Sequence, residues 1–153
     1  MTGSLGAPSR EVFKDGALRG ADGRRRFIDR VALSFDPAHA EAALAYEKAM
    51  RERNRLLKDQ VQDAHWYRAL ETQMGDLGAR LHANRLAAVA QLRAAQDAAE
   101  TSFPTAALEL KNEDLGVLGM AENLTHALGD HRGRDMAAGR SLIGPHRSDL
   151  LAL

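Results

Sequence analysis

From Arg24 onward apolar side chains recur at the three- and four-residue spacing of helices, and only near the C-terminus does the period shorten to two. Phe27, Ile28, Val31 and Phe35 fall on one face of a first predicted helix, with Arg26 and Arg30 beside it at i,i+4 spacing. Asp36-Pro37 closes that helix and opens the next, because aspartate suits a cap and proline a first turn. The second helix is predicted from about Ala38 to Gln60. Tyr46, Ala49, Met50, Leu56 and Leu57 make its apolar stripe, which Arg53 and Gln60 interrupt. After a break near Asp63 a third pattern runs from His65 to about Thr101, with Trp66, Leu70, Gln73, Met74, Leu77, Leu81, Asn84, Ala88, Leu92 and Ala95 at threes and fours. At 1.5 Å per residue that helix is on the order of 50 Å long. Gly75 and Gly78 each cost it about 1 kcal/mol relative to alanine and are places where it could bend.

So long a hairpin in a chain of 153 residues is more an arm than a ball, because one face of such a rod exceeds what its own small domain covers. Coiled-coil packing is the expected solution. Asn84 within the stripe either fixes its register or sits solvated where a partner helix ends. Past Ser102 the texture changes: Phe103 to Lys111 alternates like a strand, and Arg140 to Gly144 is a second strand candidate closed by Gly-Pro. Between them Val117 to Leu128 reads as a helix and Gly129 to Gly139 as a hydrophilic connection. Two strands and a helix are too little sheet to stand alone. The expected organisation is a poorly matching lead-in over 1–23, a helical arm over 24–101 and an incomplete α/β segment over 102–153. The fold class is therefore mainly α with a small β portion.

Composition narrows the function classes. A 44% hydrophobic and 27% charged chain is ordinary for a globular protein, and 5% aromatic residues are few for a β-rich core. Without cysteine, disulfide scaffolds, thiolate metal sites and cysteine nucleophiles are excluded, and the cytoplasm is the simplest compartment. No apolar run approaches the roughly 20 residues of a membrane span, and the N-terminus lacks a signal-peptide pattern. The 21 basic and 21 acidic residues cancel, but the cancellation hides their distribution.

The chemistry of catalysis is missing from the pattern. Six histidines are scattered, and His126 and His131 with Asp130 and Asp135 match no metal template. Glu113 and Asp114 are adjacent and point different ways, and neither Ser141 nor Ser148 occupies a nucleophile elbow. No G-x-x-x-x-G-K-[ST] phosphate loop occurs, so no catalytic or metal residue is assigned. Two basic features remain. Arg24, Arg25, Arg26 and Arg30 concentrate guanidinium groups that could clamp phosphates, or else pair with Asp29 and glutamates of the next helix. Lys48, Arg51, Arg55 and Lys58 share a narrow arc of the second helix, either as a basic binding surface or as a solvated face balanced by Glu47 and Glu52. A third dense constellation is Gly144, Pro145, His146, Arg147, Ser148 and Asp149, whose plain alternative is a short polar loop.

Four stretches in this order resemble the RecF family of bacterial recombination and repair ATPases, relatives of the SMC heads. They are GRRRFIDRVALSFDPAH (Gly23 to His39), AYEKAMRERNRLLKD (Ala45 to Asp59), FPTAALEL (Phe103 to Leu110) and GRDMAAGRSLIGPHRSDL (Gly133 to Leu150). The resemblance implies an internal fragment: a helical arm inserted in part of an ABC-type ATPase head, with Gly144, Pro145, His146, Arg147 and Asp149 marking the return into the sheet. It implies, for the full-length family, ATP and Mg as cofactors and ATP-dependent binding of single-stranded and gapped duplex DNA. It further implies a homodimer, RecO and RecR as partners, and support of RecA loading, recombinational repair and the SOS response. The phosphate loop, signature motif and Walker B carboxylate of that family are absent from these residues, so ATPase activity is not expected of the chain alone. The competing expectation is a non-enzymatic helical module that self-associates through the Trp66 to Ala95 stripe and binds no nucleic acid.

Overall fold

The computed structural model describes residues 20–98 and 107–152. In chain order the elements are α1 (Ala21–Phe35), α2 (His39–Lys58), α3 (His65–Ala98), β1 (Leu108–Lys111), α4 (Leu115–Leu118), α5 (Ala121–Asp130), α6 (Arg132–Ala138), a single 3₁₀ turn (Pro145–Arg147) and β2 (Asp149–Ala152). The three long helices match the predicted periodicities within a few residues. The predicted lead-in up to residue 19, the end of the third helix beyond Ala98 and the start of the first strand up to 106 lie outside the described residues.

Two compact units divide the chain. Unit 1 holds α1, the second half of α3 from Asn84, the two strands and the residues beside them. Its core joins Ile28, Val31 and Ala32 to Ala88, Val89 and Leu92 and to Leu108, Leu110 and Leu150. Phe35, predicted on that face, is 36% exposed, and Ala32 is buried instead. The α1 helix stops where the Asp36 N–H donates to the Ala32 carbonyl at 2.9 Å and Pro37 follows. The strands pair antiparallel with Leu110 opposite Leu150, so the alternation of LELK places both its leucines in the core.

The predicted second strand is displaced. Residues 140–144 form no strand, and β2 begins at Asp149, five residues past the end of that candidate. Gly144 explains why: its φ of +144° breaks the extended run, and a Cβ there would overlap the Tyr46 hydroxyl. The hydrophilic connection read from 129 to 139 is instead the helix α6, ended by Gly139 in the left-handed conformation at φ +72°.

Unit 2 holds α2, the first half of α3, and residues 113–147. Its core gathers Ala42, Tyr46 and Ala49 of α2, Met74 and Leu81 of α3, and Leu118, Leu124, Leu128 and Ile143. The face of the α2–α3 hairpin in this unit is not left to a partner coiled coil, because α5 and the segment before the 3₁₀ turn cover it. Gly75 and Gly78 serve that packing. A Cβ on Gly75 would overlap Thr125 Oγ1, and one on Gly78 would meet Leu124 Cδ2 at 2.6 Å and Pro145 Cδ at 3.3 Å. The glycines predicted as bends are thus positions of close helix approach.

The buried face of α3 is also rotated from the predicted one. Tyr67, Glu71, Met74, Leu81, Arg85, Ala88, Leu92 and Gln96 are buried, whereas Trp66, Gln73 and Ala95 are exposed. Charged positions that the apolar pattern passes over belong to the core, and including them moves the face by one residue.

Candidate functional site

The arginine cluster of α1 separates into two pairs. Arg24 lies 2.6 Å (Nε) and 3.0 Å (Nη2) from the two carboxylate oxygens of Asp149, a bidentate pair that raises the guanidinium pKa through the hydrogen bond to Asp149. Arg25 donates from Nη1 to the Ser148 carbonyl at 2.9 Å and also pairs with Asp22. Helix α1 thereby clamps the start of β2, and Asn112 adds a 3.0 Å bond to Ser148 Oγ. Arg26 and Arg30 point outward and are exposed. Asp29, the neighbour expected to neutralise them, is engaged by Arg85 of α3 at 2.8 and 3.1 Å. Asn84 donates to Asp36 at 2.8 Å within the same unit.

Lys48, Arg51, Arg55 and Lys58 are all exposed on α2. Arg51 pairs with Glu47 one turn back at 2.6 Å, an exposed pair of small energetic weight. Arg55 and Lys58 occupy the last turn, where cations complement the helix dipole.

The Gly-Pro-His-Arg segment has a defined shape. His146 Nε2 donates to the Ser141 carbonyl at 2.9 Å, which leaves Nδ1 to accept the Tyr46 hydroxyl proton at 2.8 Å. Gly144, Pro145, His146 and Arg147 fall in unit 2 and Asp149 in unit 1. Arg147 is exposed, and His146 is half-buried.

The feature that the apolar pattern misses is a buried charge network in unit 2. Arg53 has no exposed surface. It donates to Glu71 Oε2 at 3.2 Å, Asp135 Oδ2 at 2.8 Å, Ser141 Oγ at 2.6 Å and the Leu128 carbonyl at 2.9 Å. Arg132 holds the other side of Glu71, with Nε at 2.8 Å from Oε2, and its guanidinium lies 5.6 Å from the centre of the Tyr67 ring. The bond to Glu71 raises the Arg132 pKa. Asp135 also accepts the Leu142 N–H at 3.2 Å, and Asn54 Oδ1 accepts from both the N–H and the hydroxyl of Ser141. Two guanidinium groups face two carboxylates, so the cluster is neutral as a whole. Burial drives the Tyr67 phenol pKa up, with Glu71 acting in the same direction and Arg53 and Arg132 opposing it. Arg53, which interrupts the predicted stripe of α2, was the available signal, whereas Glu71 lies one position off the predicted stripe of α3.

Among the described residues no three His, Asp or Glu side chains converge as metal ligands. Glu71 and Asp135 are turned toward guanidinium groups, and Arg24 claims Asp149, so these carboxylates do not fit a Mg site. No described helix is long and apolar enough to cross a membrane.

No family model matches the sequence. The chain is 45% identical over 136 residues to "DNA replication and repair protein RecF" of Mesorhizobium japonicum, covering 84% of this chain and 36% of that protein. It is 45% identical to the protein of the same name from Brucella abortus, over 86% of this chain and 36% of that protein. The chain thus spans about 36% of the length of these curated relatives. Its fold is similar to the recombination mediator protein RecF solved as RecF-ATPrS, with a TM-score of 0.72 at 21% identity over 94% of this chain and 40% of that one. The RecF-ATP structure gives the same score at 22% identity. Fold and sequence together define a mostly helical segment with a small two-stranded sheet, of the kind found within RecF proteins. The chain belongs to the RecF family.

Proposed function

We propose that the chain is the arm region of a RecF-type DNA replication and repair ATPase and contributes DNA and protein contacts rather than catalysis. The observation that carries this reading is the division of the α1 arginines: Arg24 and Arg25 clamp β2, while Arg26 and Arg30 stand exposed beside a carboxylate already claimed by Arg85. Exposed guanidinium groups that form no ion pair among the described residues suit phosphate oxygens, which no base sequence restricts. Lys48, Arg55 and Lys58 form a second cationic surface, and Arg51 is the member weakened by Glu47.

In the complete protein these contacts would serve binding to single-stranded and gapped duplex DNA, with ATP and Mg acting through parts of the protein that this chain does not contain. Work with RecO and RecR in loading RecA, recombinational repair and SOS induction is the corresponding cellular role. The test is retardation of single-stranded and gapped DNA at two salt concentrations. The double variant Arg26→Ala, Arg30→Ala should weaken binding to all sequences alike and reduce the salt slope by roughly one to two counterions. Variants at Arg24 should act on stability instead. An unchanged slope in the double variant removes both residues from the site, and no retardation at low salt overturns the reading in favour of a self-associating helical module.

A further inference from the structure

We propose that Trp66, at the closed end of the α2–α3 hairpin, is a stacking platform for an unpaired nucleobase. The proposal rests on the DNA-binding reading above and adds a base contact to its phosphate contacts. Trp66 is 61% exposed although it is the only tryptophan of the chain. Among the described residues its one ring neighbour is His65, edge-on at 6.2 Å between centroids and 70° between planes, and the rest of the indole surface is largely exposed.

The indole is held on a braced turn. Gln60 takes a positive φ of 57°, the Val61 N–H donates to the Leu56 carbonyl at 3.1 Å, and the Tyr67 hydroxyl donates to the Val61 carbonyl at 2.8 Å. The His65 N–H is capped by Asp63 at 2.9 Å. An exposed aromatic on a fixed turn loses little freedom when it stacks.

Trp66 also stands on the helix face that, two to three turns on, lines a groove. Positions 66, 70, 73 and 77 recur at the spacing of one helix face, and Gln73 and Leu77 line a groove of about 520 Å³ between α2 and α3 in unit 2. Lys48 lies on the α2 wall of that groove, and Arg55, two turns on, extends the same edge toward the turn. Glu52 and Asp76 line the groove itself, so a polyanion would follow the Lys48–Arg55 edge and place a base at the indole. Cations beside an open indole complement a nucleic-acid single strand, whose bases are free to stack and whose phosphates need countercharge.

The chain's own fluorescence tests this, because Trp66 is its single tryptophan and excitation at the red edge, where tyrosine does not absorb, reports on that residue alone. Titrating the full chain with a short oligo(dT) should quench that emission saturably. Trp66→Ala should weaken oligo(dT) binding by roughly five- to 150-fold, the equivalent of about 1–3 kcal/mol per stacked base, and Trp66→Tyr should restore most of it. The affinity lost should persist at high salt, unlike that lost in Arg26→Ala, Arg30→Ala. Oligo(dT) binding without quenching, with Trp66→Ala as tight as the parent, overturns the platform and leaves the phosphate contacts standing. Emission that changes with protein concentration alone assigns the face to a second copy of the chain and also overturns it. Loss of all retardation in the parent chain ends both readings.

Discussion

Units 1 and 2 both use arginine–carboxylate pairs to join segments distant in sequence, but at different depths. In unit 1 each such pair is bidentate, one guanidinium to one carboxylate, and its carboxylate stays partly open to water: Arg24 with Asp149, and the buried Arg85 with Asp29. In unit 2 Arg53 is completely buried and shared among Glu71, Asp135, Ser141 and a backbone carbonyl. A partly exposed pair adds orientation at small energetic stake. A buried one commits every neighbour, because any member left unpaired keeps a charge out of water.

The largest expected effect breaks that contrast at its centre. Arg53→Ala leaves Glu71 and Asp135 short of a shared donor inside the core and should cost about 3–5 kcal/mol of stability. Urea unfolding of the variant measures it, and a loss below about 1 kcal/mol would mean that water or relaxation rescues the carboxylates. Arg53→Lys should recover only part, since an ammonium on a flexible stem cannot reproduce the planar four-acceptor pattern.

How far this architecture was legible from sequence follows from the same contrast. The three long helices and the LELK strand were readable because their buried faces are mostly apolar and periodic. The rotation of α3 was not, because Glu71 and Arg85 occupy core positions only through partners far away in the chain. His65-Trp66 was read as the start of a stripe since an indole counts as apolar wherever it points. Ser141, at the start of the second strand candidate, instead bonds with Asn54 and Arg53. The clustering of Arg24 to Arg30 was visible at once. Its division into clamping and outward-facing members required knowing where Ser148 and Asp149 return.

The two halves of α3 sharpen the comparison further. In unit 2 Gly75 lets the helix approach α5 so closely that a methyl group has no room, with the Ala121 carbonyl 2.8 Å from its would-be position. Gly75→Ala should therefore destabilise by about 1–3 kcal/mol despite its better helix propensity. In unit 1 Ala88 is buried in the core beside residues of α1 and the strands, and Ala88→Gly should cost about 1 kcal/mol from propensity alone, with any lost packing added. Thermal unfolding of the two variants compares them directly. If Gly75→Ala is neutral or stabilising, close approach is not what fixes that residue.

Unit 1 supplies the smaller electrostatic effect. Asp149→Asn keeps the shape of the β2 start but removes the charge that Arg24 grips, and it should cost about 1 kcal/mol, the pair being partly solvated. The loss should shrink at high salt, which the Arg53→Ala loss should not. Equal salt sensitivity of the two would erase the distinction between the units.

The least expected effect lies at alkaline pH and belongs to unit 2. Tyr67 is almost fully buried, and burial holds its phenol protonated above the ordinary value of about 10. Its hydroxyl proton is donated to the Val61 carbonyl, a bond the phenolate cannot make. The unfolded chain releases this proton near its ordinary pKa, the native chain only at higher pH. The native state therefore binds more protons in that window, and stability falls as pH rises through it. Below pH about 10 the contribution is fully present. Tyr67→Phe removes the titration and the hydrogen bond together. It should lower stability modestly at neutral pH and flatten the decline above pH about 10. A parent and a Phe variant that decline in parallel would place the alkaline loss elsewhere and free Tyr67 from any link to the buried network.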